Sequence, residues 1–211
     1  EVNKIIKLAV ENETKLYFTK PNLIDELWID KPEREYSVIF NHPINYAGID
    51  ASNKVDQFVK ELKSNNLDSY FLSSLDSIAW LLNIRADDIL HTPLAFSYLF
   101  ISVENKPILY LSIEKLNTDL KNRLSNFLNL QPIEEIENIF ENLTKKLKVG
   151  FDYKNTSYFF YDLALGYDLV PSNLQNPCLI PKATKNETEL EGSRKAHIRD
   201  GVRITKFLYW L

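Results

Sequence analysis

Leu75-Asp-Ser-Ile-Ala-Trp-Leu-Leu-Asn-Ile-Arg85, followed by His91-Thr-Pro-Leu-Ala-Phe-Ser-Tyr98, decides how the chain folds. Just before it, Ser69-Tyr-Phe-Leu-Ser73 reads as a strand, with aromatic and apolar residues between small hydroxyls, as in a buried edge of a sheet. Asp76 and Ser77 are placed to cap a short helix that carries Ile78, Ala79, Leu81 and Leu82 into a core. The helix runs out into a polar loop, Asn83 to Asp88, and a second strand is expected from Leu94 to Ile101. A polar loop held between two strands is where an α/β domain presents functional side chains.

Outward from this centre, strand and helix alternate. Ser52 to Asn65 makes a helix with Val55, Phe58, Val59 and Leu62 on one face. Glu104-Asn-Lys-Pro107 turns the second strand back into Ile108-Leu-Tyr-Leu111 as a hairpin. Helices are expected at 115–127, with Leu116, Leu120, Leu124 and Phe127, and at 134–147, with Ile136, Ile139, Phe140, Leu143 and Leu147. Val149-Gly-Phe151 is a short strand, 155–165 a helix rich in Tyr and Phe, and Tyr167 to Val170 a last strand. The alternation implies an α/β fold with a mixed β-sheet and helices on both faces.

The flanks differ. Val2, Ile5, Ile6 and Ala9 give an amphipathic helix, Leu16-Tyr-Phe18 a short strand, and Asn22 caps a turn that gathers Leu23, Ile24, Leu27 and Trp28. Residues 1–30 read as the tail of a preceding domain with its connector, or as an extension packed on the body, which spans 31–181. Pro177 and Pro181 mark 173–182 as a semi-rigid linker. A final segment, 182–211, holds a long helix from Glu187, acidic early and basic later, as the helix dipole favours. Its stripe of Leu190, His197, Ile204, Leu208 and Leu211 has nothing left in the chain to pack against, so the helix is expected to be displaced, swapped or poorly ordered. The lack of Met and the apolar run Phe207 to Leu211 lead to the expectation of a piece of a longer protein.

Composition narrows the chemistry. A net charge of −4 offers no basic field for nucleic acid and no polybasic membrane anchor. No apolar run approaches the roughly 20 residues that span a bilayer. A single cysteine, Cys178, rules out an internal disulfide framework and suits a reducing cytoplasm. The three histidines, His42, His91 and His197, show no metal-ligand spacing, and the five glycines form no phosphate loop and no Gly-x-Ser-x-Gly turn. The neighbouring acids Asp87-Asp88 and Glu134-Glu135 read as loop solvation and helix N-terminal charge.

Arg85 is the leading candidate for function. Its planar fork suits a peptide's C-terminal carboxylate or an acidic partner, the structural alternative being an ion pair with Asp76, Asp87 or Asp88. Asn83 is placed either to donate to a peptide carbonyl or to end its helix, and His91 either to line the mouth of a site or to bond within its loop. No catalytic residue and no metal ligand is expected in this stretch.

The central wording resembles the middle domain of the large three-domain Xaa-Pro aminopeptidases (aminopeptidase P). The match extends through Asn22-Leu-Ile-Asp-Glu-Leu-Trp28, His42-Pro43, Tyr46-Ala-Gly48, Pro177 to Glu187, Arg194, Ala196 to Gly201 and Phe207 to Leu211. The last of these resemble the entry into the catalytic domain, so 182–211 is expected to be that domain's first helix. The family usually has Gly after the Arg, where this chain has Ala86; a positive φ there would strain it.

The resemblance implies a creatinase/prolidase-type scaffold in a metallopeptidase that removes the residue ahead of a proline at position two. It implies two divalent metals in the parent, manganese being the expected one, held by two Asp, one His and two Glu of the catalytic domain and none of them here. The implied role is to shield the active site and support homo-oligomerisation in the cytoplasm. The implied partners are the chain's own C-terminal catalytic domain and proline-containing peptides. The alternatives are a catalytically inactive peptide- or protein-binding module of the same fold, or the N-terminal part of a prolidase or creatinase.

Overall fold

In a computed structural model of the chain, Ser69–Leu72 lies inside a six-stranded sheet, not at its edge. The structure describes every residue except Glu1, Phe18, Lys20, Pro21 and Glu33, together with all side chains of the remainder but that of Asn3. The chain forms two compact units, Glu1–Glu35 and Tyr36–Leu211. The first holds α1 (Val2–Glu11) and α2 (Leu23–Leu27). As expected, the Asn22 carboxamide oxygen accepts from the Ile24 amide at 3.0 Å. Leu16 and Tyr17 are not in a strand, and Phe18 lies outside the described residues.

The second unit opens with β1 (Phe40–Asn41), α3 (Ile44–Ala47) and α4 (Ala51–Ser64). Then come β2 (Ser69–Leu72), α5 (Leu75–Leu82), β3 (Ile84–Arg85), β4 (Tyr98–Ser102) and β5 (Ile108–Leu111). It continues through α6 (Thr118–Ser125), β6 (Asn129–Pro132), β7 (Lys148–Phe151) and α7 (Tyr158–Gly166). The last elements are β8 (Val170–Asn173), α8 (Leu179–Ala183) and α9 (Glu187–Trp210). The large sheet has the order β6-β5-β4-β2-β7-β8. Its β2–β4 and β4–β5 pairs are antiparallel and the other three parallel, so the sheet is mixed, as the hairpin at 104–107 required.

Strand alternation divides the core in two, because successive side chains leave a strand on opposite faces. Tyr70, Leu72, Leu99, Ile101, Leu109 and Leu111 join Val55, Phe58 and Leu62 of α4, Leu81 and Leu82 of α5, and Leu120 and Leu124 of α6. Phe71, Phe100 and Tyr110 point the other way, into Phe140, Phe151 and Phe160. Helices therefore cover both faces. At the centre of the second layer Phe71 meets Phe160 with ring centroids 4.3 Å apart.

Gly150 on β7 makes the first layer possible. A Cβ there would stand 2.5 Å from Cδ2 of Tyr70 and 2.8 Å from a Leu67 methyl, both in buried residues. Gly150→Val is expected to lower stability by about 1–3 kcal/mol through overpacking, read as a drop in the urea midpoint at unchanged slope.

Several expected elements differ. Residues 134–147 are not one helix: Ile133–Asn138 is a 3₁₀ turn, and the chain then loops. The β-branched and amide side chains there (Ile133, Ile136, Asn138, Ile139, Asn142, Thr144) are poor helix formers, although Ile136, Ile139, Phe140, Leu143 and Leu147 do pack in the second core. Asn129–Pro132 is an unanticipated edge strand on β5. The strand expected from Leu94 begins only at Tyr98, and the last strand lies at 170–173, after Asp168 turns the chain at φ +57°.

Asp76 and Ser77 do not cap α5, whose N-cap is Ser74. Asp76 pairs with Lys182 instead, and the Ser77 hydroxyl accepts from the Asn176 amide at 2.8 Å. The 173–182 stretch is not a free linker, since Asn176 and Cys178 are buried in the domain. The α9 helix is continuous and none of its residues is buried. Among the described residues no helix is long and apolar enough to cross a membrane.

Candidate functional site

The end of α5 leaves carbonyls that no intrahelical amide reaches, and the partial negative charge of the helix gathers on them. Three cations answer. Lys54 donates from Nζ to Trp80 O at 2.5 Å, and Arg85 from Nη1 to Ala79 O, which also takes the Asn83 amide, and to Ile84 O just past the helix, both at 2.8 Å. Arg123 donates from Nη2 to Leu82 O at 3.0 Å and Asn83 O at 3.3 Å. The His42 amide donates to Asn83 O at 2.8 Å, where the β1–β3 ribbon is tied to the helix end.

Asn83 stops the helix by taking the left-handed conformation, φ 53° and ψ 48°, which asparagine tolerates better than most residues. Its side chain is buried and fully engaged: Nδ2 donates to Ile49 O at 2.9 Å, and Oδ1 accepts from Lys54 at 2.7 Å. Lys54 also stands 4.4 Å over the Trp80 ring, a cation–π contact. Burial lowers the Lys54 ammonium from its usual 10.5 to about 8; Glu189 works against that shift and Arg85 adds to it. Burial lowers the Arg85 and Arg123 guanidiniums too, and lowers His42, to which Arg85 and Lys54 contribute. Arg123 Nε is buried without a hydrogen-bond acceptor among the described residues.

Each residue singled out in the sequence now has a place. Arg85 makes none of the ion pairs weighed for it, having no carboxylate within 4.0 Å among the described residues, because Asp76 pairs with Lys182 and Asp88 is used elsewhere. Asp88 takes the Ser37 amide and hydroxyl at 2.6 and 2.7 Å and the Phe96 amide at 2.8 Å, which fastens the loop. Ala86 is buried with a negative φ, so the change from glycine brings no strain. His91 is exposed in a turn at φ +63° and takes no part in the network around Asn83 and Arg85.

Lys54, Arg123 and Glu189 are the members of this cluster that sequence reading passed over. Lys54 carried a readable signal: it falls on the buried face of α4 with Ala51, Val55, Phe58 and Leu62. The cluster offers charge and rigidity, with no nucleophile and no acid–base pair. Cys178 is buried and its thiol pushed up to about 12, which leaves it unreactive. A two-metal centre needs several carboxylates and an imidazole converging; among the described residues no three His, Cys, Asp or Glu side chains do so, and the donor set does not fit.

Residues 30–189 match the creatinase/prolidase N-terminal domain. A protein of Tuber melanosporum named "Probable Xaa-Pro aminopeptidase P" is 35% identical over 220 residues, covering 97% of this chain and 35% of that protein. One of the same name from Penicillium rubens is 34% identical, covering 99% and 35%. The chain thus spans about a third of the length of these relatives. Among solved structures, the X-prolyl aminopeptidase of Caenorhabditis elegans, described as a cytosolic enzyme with a di-nuclear active site, superposes with a TM-score of 0.87. It is 27% identical, over 99% of this chain and 35% of that one. The match at 30–189 spans most of the chain, and the chain belongs to the creatinase/prolidase N-terminal domain family.

Proposed function

We propose that this chain is the non-catalytic N-terminal part of an Xaa-Pro aminopeptidase, one that removes the residue ahead of proline from short peptides in the cytoplasm. The observation that carries this reading is the likeness along 99% of the chain to an X-prolyl aminopeptidase about three times as long. In this reading the parent would hold two divalent metals, manganese the expected one, on a catalytic domain outside this stretch, where they would supply an activated hydroxide. The present domain shields that centre, restricts entry to short peptides and supports the homo-oligomer. A shielded cleft suits the substrate, since proline lacks the backbone N–H that ordinary protease subsites engage.

Arg85 and His91 face the peptide in this reading. Asn83, whose amide is already bonded to Ile49 and Lys54, holds the loop behind them. The test is to assay the full-length protein on Arg-Pro-Pro and Arg-Ala-Pro, with and without Mn²⁺. Cleavage of only the first, lost on chelation, is expected. Hydrolysis of Arg-Ala-Pro at its first bond, or of neither, overturns the proposal. Arg85→Lys keeps one donor toward Ala79 O and Ile84 O and loses the fork, and is expected to raise KM for the tripeptide about tenfold with kcat little changed.

A further inference from the structure

The long helix α9 exposes nearly its whole length, yet its root is held at two independent points. At the first, Asn186 works in two directions. Its Oδ1 accepts from the Glu189 amide at 3.0 Å, capping its own helix, while its Nδ2 donates to Ala47 O at 2.9 Å, at the end of α3. Gly48, which follows that carbonyl, has φ +73°, and a Cβ on it would stand 2.4 Å from the Asn186 side-chain oxygen. The carboxamide therefore lies in the space that the missing side chain leaves open. At the second point, Glu189 divides its carboxylate. Oε2 accepts from the Asn186 amide at 3.0 Å, completing the capping box, and Oε1 accepts from the Trp80 indole at 3.3 Å. Trp80 is itself fixed, since Lys54 stands over its ring and bonds its carbonyl.

An ordinary capping box satisfies only its own helix. Here each of its two side chains keeps a second bond for a different element, one on α3 and one on α5. Two separated attachments, together with the covalent entry from Lys185, leave the root of the rod no free axis to turn about.

We propose that the Asn186–Glu189 capping box is a rigid joint that sets the direction of α9 against the sheet domain. Gly48 and Trp80 form its socket, and Asn186 and Glu189 are positioning residues for whatever the helix carries. The joint is a property of this chain and stands apart from the peptidase reading.

Asn186→Asp separates the two roles of the key. Aspartate is as good an N-cap, so helix formation is retained, while the donor to Ala47 O is lost and a carboxylate faces that carbonyl. Glu189→Ala removes the other attachment, and Glu189→Gln, with one acceptor oxygen for the two donors the carboxylate serves, keeps only one of the two bonds. Nitroxides placed by Lys60→Cys on α4 and Arg203→Cys on α9, both exposed positions, report the direction of the helix. A single narrow distance distribution is expected for the parent chain, and one of intermediate width for Glu189→Gln. A distribution at least twice as wide is expected for Asn186→Asp and for Glu189→Ala, with the helical circular dichroism unchanged. A parent distribution already broad, or variants as narrow as the parent, overturns the proposal. Loss of helical signal in both variants does so too, because the bonds would then be serving the helix and not the joint.

Discussion

Asn83→Ala is expected to lower stability by about 3–5 kcal/mol, the largest loss of any substitution at the α5 terminus. Three costs combine. An alanine held at φ 53° pays about 1–2 kcal/mol for the left-handed conformation. Lys54 loses its Oδ1 acceptor, and a hydrogen bond to a charged group is worth about 1.5–3 kcal/mol. Ile49 O loses its donor at the same time. Asn83→Gly separates the terms, because glycine enters that region freely; it should recover about 1–2 kcal/mol of the loss and leave the rest. Chemical denaturation of the three proteins at neutral pH gives the comparison. Equal losses for Ala and Gly would show that the backbone conformation contributes nothing. A loss under about 1 kcal/mol for Ala would show that the Lys54 bond is made equally well by water.

Asn83 also marks how far local sequence reaches. That an asparagine after Leu81-Leu82 ends a helix follows from its tolerance of positive φ, and the strand before the helix follows from the aromatic and apolar run between Ser69 and Ser73. Which strands flank β2 does not, because β7 joins it from about eighty residues away and nothing local encodes the pairing. Asn129-Leu-Gln-Pro132 shows the opposite failure: two amides and a proline have little strand preference, and the stretch is a strand because β5 offers it an open edge. Residues 134–147 have a helical stripe and are buried along it, yet the backbone is mostly not helical. Burial of apolar side chains and helix propensity are separate requirements, and only the first is met there.

The same division explains the site. An arginine fork suits a carboxylate, so acidic neighbours in sequence were the natural partners to weigh for Arg85. Its Nη1 instead turns to one carbonyl of α5, Ala79 O, and to Ile84 O beyond it, whose positions depend on where the helix ends in space. Lys54 was legible as a charge on an apolar helix face, but its meaning was not, since Trp80 and Asn83 lie 26 and 29 residues further on. The joint at α9 is written locally as Asn186-x-x-Glu189, the pattern of a capping box. Its attachments to Ala47 and Trp80 appear only once the domain has folded.

Lys54 yields the second large prediction, in the dependence of stability on pH. Its folded value near 8 lies below the usual 10.5, so between these two the unfolded chain carries a proton that the folded chain has lost. Stability rises with pH wherever the unfolded state binds more protons. Relative to Lys54→Met, the wild-type protein should therefore gain about 1.4 kcal/mol per pH unit from 8 upward, at most about 3 kcal/mol by pH 10.5. Cys178 acts with the opposite sign. Its folded value near 12 lies above the usual 9, so over that range the folded chain keeps a proton that the unfolded thiol gives up, and stability falls as pH rises. From pH 9 to 10.5 the two oppose each other, while Tyr70, Tyr110, Tyr153 and Tyr158, whose hydroxyls burial also raises, lower the stability of every variant alike, so each variant is compared with wild type. Relative to wild type, Lys54→Met should descend across this window and Cys178→Ala should climb. Urea midpoints at half-unit steps from pH 7 to 10.5 decide the matter. A Lys54→Met curve parallel to wild type would mean that the ammonium keeps its ordinary value and stays hydrated, so that its contacts with Trp80 and Asn83 are made at no cost in desolvation.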